Sequence, residues 1–220
     1  MTGLIDVIRL DHRIMRARYP MLLVLLAIGV TVGILTGSPL TGTLLVTLIS
    51  APIGGSYFAV YETSRLDHLF GTLPVRRGVV EAAIYLYSMV VIGANGALAA
   101  LLGWQLGRLD HLPATGTQIA VTYTLSLLAV CVYIGLLYPV YLGVPFSKVY
   151  ILSNVPFYVI AVAFVFVTKR THWLDNLHGV VDFIHNQPGW TVLICIVGGL
   201  TVLATSWTIA HGTTSVIRRR

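Results

Sequence analysis

Long apolar runs alternate with short polar connections along almost the whole chain. Each run is about as long as a helix that crosses the hydrocarbon core of a bilayer, which needs roughly 20 residues. Because unpaired backbone groups are costly in lipid, such runs are helical, and the pattern predicts an all-α integral membrane protein. The six predicted transmembrane helices cover residues 20–37, 42–62, 79–104, 115–141, 149–168 and 190–211.

The N-terminal segment has a different, amphipathic pattern. Leu4 and Val7 fall on one face of a helix, whereas Arg9 and Arg13 recur on another. We predict that residues 1–18 form an interfacial helix, which lies in the headgroup layer with its arginines in contact with anionic membrane lipid. A plain cytosolic extension is the alternative.

Several residues interrupt the apolar spans. Gly29, Gly33 and Gly37 are spaced four apart, and such a strip of small residues lets a second helix approach closely. In the segment 51–56, Pro52 and the glycines that follow predict a kink or a locally unwound turn. An asparagine within a span either hydrogen-bonds a neighbouring helix or contacts substrate. Candidate residues of a substrate path are Pro52, Gly54, Gly55, Asn95 and Asn154.

Polar residues near the ends of the spans have a simpler interpretation. Tyr138 and Tyr141 lie near the end of the fourth span, at the depth where tyrosines often anchor a helix in the membrane interface. Glu62 and Glu81 flank the connection between the second and third spans, and we interpret them as interface anchors or helix-end pairs. The middles of the spans carry no ionisable residue, which argues against coupling to protons or ions.

Composition and charge agree with a membrane protein. Hydrophobic residues make up 56% of the chain and charged residues only 10%, against about a quarter charged residues in soluble domains. The net charge of +6 does not indicate nucleic-acid binding, since the basic residues lie at helix ends rather than on one face. Eleven of the fourteen Lys and Arg residues fall on the side of the N-terminus. By the positive-inside rule, both termini of this multi-pass plasma-membrane protein are cytoplasmic.

The sequence lacks the common catalytic motifs. Neither of its two lysines completes a G-x-x-x-x-G-K-[ST] pattern, so the chain has no P-loop and we expect it not to be an enzyme and to bind no cofactor. In segment 168–189, which we assign to an extracytoplasmic loop, His178, Asp182 and His185 share one helical face. They could bind a metal. We prefer to interpret them as the wet face of an amphipathic surface helix, and assign no metal site.

The densest polar stretch, residues 63–78, connects the second and third spans. From Ser64 to Phe70 it has leucines on one side and charged residues on the other, enough for about two turns of amphipathic helix. Gly71 and Pro74 end this helix. Two arginines follow and place the stretch on the cytoplasmic side. We expect this coupling loop to contact a partner.

Two motifs of the chain resemble those of a known family. The first consists of Glu62, the run Leu69-Phe70-Gly71-Thr72-Leu73-Pro74-Val75-Arg76-Arg77, and Val79-Val80. The second is the run Tyr138-Pro139-Val140-Tyr141-Leu142-Gly143-Val144-Pro145-Phe146-Ser147-Lys148, in which Pro145-Phe146 replaces an acidic–basic pair that is common in the family. With the topology, these motifs make the chain resemble the permease subunits of ABC transporters of the type-2 export group.

The resemblance implies an architecture, partners and site residues. The whole chain, residues 1–220, would be a single permease domain that pairs with a second permease, identical or paralogous. Two P-loop ATPase subunits, which bind ATP and Mg²⁺, would dock on it. The resemblance assigns the ATPase-docking coupling helix to Ser64, Arg65, Leu66, Asp67, His68, Leu69, Phe70, Gly71, Leu73, Pro74, Arg76 and Arg77. It assigns a second cytoplasmic contact to Val144, Pro145, Phe146, Ser147 and Lys148.

These expectations combine into a functional prediction. The chain is predicted to be the permease subunit of an ATP-driven exporter in a bacterial cell membrane. By analogy with the family, the substrate is amphipathic or apolar: a peptide antibiotic, a toxin-like peptide, a drug or a lipid. Two alternatives stay open: an ATP-independent carrier or channel, and a membrane scaffold or sensor subunit that docks a partner without transporting anything.

Overall fold

The described part of the chain is almost entirely helical, with no β-strand among its residues. A computed structural model describes residues 2–63, 77–109, 115–144, 146–149, 183–184 and 186–217. Its first helix, α1 (Thr2–Met15), is followed by a 3-10 turn (Arg16–Arg18). The longer helices are α2 (Tyr19–Leu35), α3 (Pro39–Thr63), α4 (Arg77–Leu109), α5 (Gly116–Gly143) and α6 (Pro188–Ile217). Residues 146–149 form one further helical turn.

Five of the described helical segments are long and apolar enough to cross a membrane. They are Ile5–Leu35, Pro39–Glu62, Gly78–Arg108, Gly116–Leu142 and Pro188–Gly212. Five of the six predicted spans therefore form helices of the expected length. The predicted fifth span, residues 149–168, lies outside the described residues except for its first position. The predicted interfacial helix, residues 1–18, becomes α1 and the 3-10 turn, which together lead directly into α2.

Local chemistry fixes the ends of two spans. At the end of α2, Gly37 has a φ of 62°, a left-handed conformation that glycine adopts without steric cost. The Ser38 N–H then donates to the Gly33 carbonyl at 3.0 Å, which closes the turn before α3. At the start of α5, Thr115 and Gln118 form a capping box, in which each side chain accepts a hydrogen bond from the other's backbone N–H. These caps define where each helix begins or ends.

α2 and α3 pack at very short range through glycines. A Cβ atom on Gly42 would lie 2.6 Å from the Gly29 carbonyl oxygen, and one on Gly29 would lie 2.0 Å from Val46 Cγ2. Gly33 also lies close to the α-carbon of Gly42. The predicted strip of small residues is therefore confirmed for Gly29 and Gly33, whereas Gly37 belongs to the turn.

The helix α3 runs without interruption through Pro52. Of the two predicted alternatives, a kink or a locally unwound turn at this proline and the glycines after it, the unwound turn is therefore wrong. Pro52 is buried, as are Ala51 and Gly55 on either side of it. Neighbouring helices let a membrane span keep a proline, because their contacts compensate for the missing backbone hydrogen bond.

Helix α1 lies against the bundle through a stripe that contains an acid. Val7, Asp11 and Met15, spaced four apart, are all buried, and α1 packs mainly on α4. The Tyr57 hydroxyl of α3 donates to Asp11 Oδ1 at 2.6 Å. Because a buried carboxylate is costly without a hydrogen-bond donor, this contact fixes the register of α1 on the bundle.

Residue contacts fix the directions of the last three helices. Cβ atoms on Gly135 and Gly198 would lie 2.7 Å from Val202 and 3.6 Å from Leu128, so α5 and α6 run parallel. Tyr85 of α4 lies 2.8 Å from the Ser206 hydroxyl of α6, and Glu81, one turn earlier, contacts His211. α4 is therefore antiparallel to α6, and the start of α4 lies beside the end of α6.

Candidate functional site

The described residues of the two motifs meet at one end of the bundle, which we call the loop end. α3 and α5 finish there, α4 begins there, and the last turns of α6 pack beside it. The predicted coupling helix and the rest of its loop, residues 64–76, lie outside the described residues. Arg77 was predicted to belong to the loop, but it is the first residue of α4, and Thr63 is the last of α3. The connection between these two helices is thus shorter than the predicted 63–78.

A bidentate hydrogen bond joins the two motifs at the loop end. The Ser147 backbone N–H donates to Glu62 Oε2 at 2.9 Å, and the Ser147 hydroxyl donates to Glu62 Oε1 at 2.7 Å. Ser147 lies in the helical turn 146–149. The first N–H groups of a helix have no partner inside it, and the Glu62 carboxylate satisfies one of them. The interpretation of Glu62 as a helix-end partner is therefore confirmed.

An aromatic cluster lies directly behind this contact. Its members are buried side chains from α3, α4, α5 and the turn 146–149: Phe58, Tyr85, Tyr138, Tyr141 and Phe146. Phe58 is 4.9 Å from Tyr138 between ring centroids, and Phe146 is 5.0 Å from Tyr141. Such pairs each contribute about 0.5–1.5 kcal/mol beyond their burial. The cluster therefore packs the turn firmly against the ends of three helices.

Two of the three tyrosines of this cluster correct the sequence interpretation. Tyr138 and Tyr141 were expected to face the lipid interface as anchors, but both are buried inside the bundle. Their spacing of three places them on one face of α5, and that face packs on α3.

The predicted second contact divides into buried and exposed residues. Phe146 is buried in the aromatic cluster, whereas Val144, Ser147 and Lys148 are exposed. Pro145 lies outside the described residues. A partner at the loop end would therefore meet the three exposed side chains, and Phe146 would support them from behind.

A second acid at the loop end pairs with α6. Glu81 is almost completely buried, and its Oε2 lies 3.3 Å from Nδ1 of the exposed His211. Gly78 makes room for this imidazole, since a Cβ there would lie 3.1 Å from its ring. The sequence placed both residues near helix ends on the same side of the membrane but gave no sign that they are neighbours.

Four of the five candidate substrate-path residues lie in the described part of the chain. Asn95 is buried, and its Nδ2 donates to the Ser50 hydroxyl of α3 at 2.8 Å. This contact agrees with the interhelical alternative for Asn95. Pro52 and Gly54 lie within α3, Gly55 packs beside the ring of Tyr141, and Asn154 lies outside the described residues.

Metal binding finds no support in the described ranges. They contain no group of three or more His, Cys, Asp or Glu side chains that could hold a metal ion. His178, Asp182 and His185 lie outside these ranges.

Comparison with known proteins identifies the family. A family model described as "ABC-2 family transporter protein" matches residues 7–213, which is nearly the whole chain. Comparisons with curated proteins and with solved structures gave no significant match. The family match confirms the resemblance that the two motifs indicated, and the apolar helices provide the spans that such a protein needs. The chain belongs to the ABC-2 transporter family and is a transmembrane permease with several membrane-spanning helices.

Proposed function

We propose that the chain is the permease subunit of an ATP-driven exporter. In this proposal it crosses the plasma membrane of a bacterium six times, with both termini in the cytoplasm. Hydrolysis of ATP takes place on separate P-loop ATPase subunits, which bind the ATP and Mg²⁺, and the permease itself has no catalytic role. Membership of the ABC-2 family supports the partnership with an ATPase.

One observation carries the docking part of the proposal. The Glu62 carboxylate holds Ser147 through two hydrogen bonds, so that the coupling loop begins beside the end of the second motif. Val144 and Lys148 are exposed beside this contact. An ATPase docked at the loop end would therefore contact both motifs at once. In the coupling loop, Leu66, Leu69 and Phe70 supply the apolar anchors, and the charged residues form the rim.

In this proposal, the same contacts transmit movement of the ATPase subunits to the membrane-spanning helices. The coupling loop is continuous with α3 and α4, and the aromatic cluster packs α3 and α5 together. A displacement of the loop by the ATPases is passed to these helices as rigid-body motion, because packed cores do not deform continuously. A second permease, identical or paralogous, would complete the transport path. The substrate is amphipathic or apolar, such as a peptide antibiotic, a toxin-like peptide, a drug or a lipid.

An affinity pull-down from gently solubilised native membranes tests the docking surface. The wild-type chain should bring down a P-loop ATPase in near-equal amount. The double variant Arg65→Glu with Leu69→Asp should reduce the recovered ATPase at least about tenfold, because it removes an apolar anchor and reverses a rim charge. The conservative double variant Arg65→Lys with Leu69→Ile, at the same positions, should retain the ATPase. All three chains should reach the membrane in equal amounts.

Two results would contradict the proposal. Unchanged ATPase recovery with the disruptive variant would exclude the coupling-helix assignment. Recovery of the wild-type chain alone, in several mild detergents, would exclude the ATPase partnership and favour an ATP-independent carrier or a scaffold subunit.

A further inference from the structure

A groove of about 430 Å³ lies between α1 and α4. Arg9, His12 and Arg13 line it from α1, and Leu86, Tyr87 and Val90 line it from α4. Its volume falls in the range typical of small-molecule sites, roughly 300–1,000 Å³. The groove is separate from the contacts at the loop end.

The surface of the groove is almost wholly apolar, and on α1 it includes Ile8 as well as the arginine side chains. Arg9 and Arg13 are one helical turn apart on α1 and are both exposed. On the opposite wall, Leu86 and Val90 are also one turn apart, with 48% and 59% of their surface exposed. A ligand that fits therefore has an apolar chain inside the groove and a negative charge at its edge, where the exposed arginine side chains end.

The back of the groove is held in place by hydrogen bonds. The Tyr19 hydroxyl lies 2.7 Å from the Tyr87 hydroxyl and 2.5 Å from His12 Nδ1. Asp11, next to His12, accepts the hydrogen bond from Tyr57 and fixes α1 against α3. Because these contacts hold α1 against α2, α3 and α4, binding does not have to order the walls first.

The position of the groove along α4 matches one leaflet of a bilayer. Leu86 is nine residues beyond Arg77, which is about 13 Å along the helix. Val90 is thirteen residues beyond Arg77, which is about 20 Å along the helix. α4 has 33 residues and is about 50 Å long, roughly 20 Å longer than the hydrocarbon core. With about 10 Å of α4 outside the hydrocarbon at each end, Leu86 lies about 3 Å and Val90 about 10 Å inside it, both in the leaflet at the loop end. The arginines on α1 have side chains long enough to extend toward the headgroup layer.

We propose that this groove binds one anionic phospholipid. Its phosphate pairs with Arg9 and Arg13, and one acyl chain lies along Leu86 and Val90. Arginines form strong charge-assisted hydrogen bonds with phosphate oxygens. The exposed apolar wall distinguishes the ligand from a free anion, which would gain nothing from it. The site goes beyond a general attraction of α1 for the membrane surface, because it retains a single lipid after the bilayer has been removed. It does not depend on the proposed transport function.

Native mass spectrometry of the purified full-length chain in mild detergent tests the proposal. Phosphatidylglycerol or phosphatidylcholine with the same acyl chains is added, and bound lipids are counted. We expect one retained phosphatidylglycerol, with at least about tenfold preference over phosphatidylcholine. Arg9→Gln with Arg13→Gln should abolish this preference. The control Arg16→Gln with Arg18→Gln, which removes the same charge outside the groove, should preserve it.

A second variant tests the apolar wall independently. Val90→Trp fills the groove from α4 and should displace the lipid while every charge stays in place. This variant also decides the question if the arginine double variant fails to fold. Excess inorganic phosphate should leave the bound lipid in place.

Three outcomes would overturn the proposal. Equal loss of lipid in both arginine double variants would show a general charge effect. Equal retention of the two lipids by the wild-type chain would show that no anionic site exists. Displacement by inorganic phosphate, together with normal binding to Val90→Trp, would show a site for free anions.

Discussion

The acids near the loop end each depend on a partner from a distant element. Asp11 accepts from Tyr57, Glu62 accepts from Ser147, and Glu81 pairs with His211. The sequence marked Glu62 and Glu81 as helix-end residues, since they flank a polar connection between apolar spans. Their partners could not be predicted, because Ser147 is 85 residues and His211 130 residues away along the chain. Asp11 was missed altogether. Its position between Val7 and Met15 at a spacing of four was the available signal.

A change at Glu62 should loosen the turn 146–149. In Glu62→Ala, the Ser147 N–H loses its acceptor, so hydrogen–deuterium exchange of this amide should become a few-fold faster, as expected for the loss of exposed hydrogen bonds. Exchange in α5 should not change. Asp6→Ala, which removes an exposed acid from α1, serves as the control and should leave Ser147 protected. Unaltered exchange in Glu62→Ala would show that the carboxylate does not hold the turn.

At the scale of the helices, the hydropathy pattern predicted that the helices exist and how long they are. It did not predict which helices are neighbours. The four-residue glycine spacing in α2 indicated a close crossing, and the structure confirms it for Gly29 and Gly33. The partner glycine, Gly42, was not identified, because a single glycine near a helix start has no pattern of its own. Pro52 shows the opposite error. Local preference predicted a kink or an unwound turn, and the unwound turn is excluded because packing keeps α3 continuous.

The crossing of α2 and α3 gives a stability prediction. Gly42→Ala would place a Cβ 2.6 Å from the Gly29 carbonyl oxygen. The two backbones must then separate, with a loss of about 1–3 kcal/mol. In detergent this should lower the midpoint of thermal unfolding by several degrees. The control is Gly212→Ala in α6, where nothing lies within 4 Å of the added atom. A midpoint that falls equally in both variants, or in neither, would contradict the close crossing.

For the whole molecule, the directions of the helices give information about the number of membrane crossings that the hydropathy pattern alone could not give. α5 and α6 run parallel, so the chain leaves α5 at the loop end and enters α6 at the opposite end. Between Lys148 and Asn186, it has to pass from one side of the bundle to the other. In a bilayer this requires one more crossing. The parallel directions of α5 and α6 therefore support the proposed fifth span at 149–168 and a total of six spans.

Labelling of single cysteines from outside intact cells tests this topology. Lys148, Asn186 and Thr117 are all exposed, and Thr117 lies at the start of α5. A membrane-impermeant maleimide should label Asn186→Cys and Thr117→Cys, but should reach Lys148→Cys only after the membrane is opened. The native chain is the blank, because Cys131 and Cys195 are both buried. If Lys148→Cys and Asn186→Cys were labelled from the same side, the segment between them would not cross the membrane. The proposed six-span topology would then have to be abandoned. The parallel arrangement of α5 and α6 would also be contradicted, because two parallel helices in a bilayer need a crossing between them.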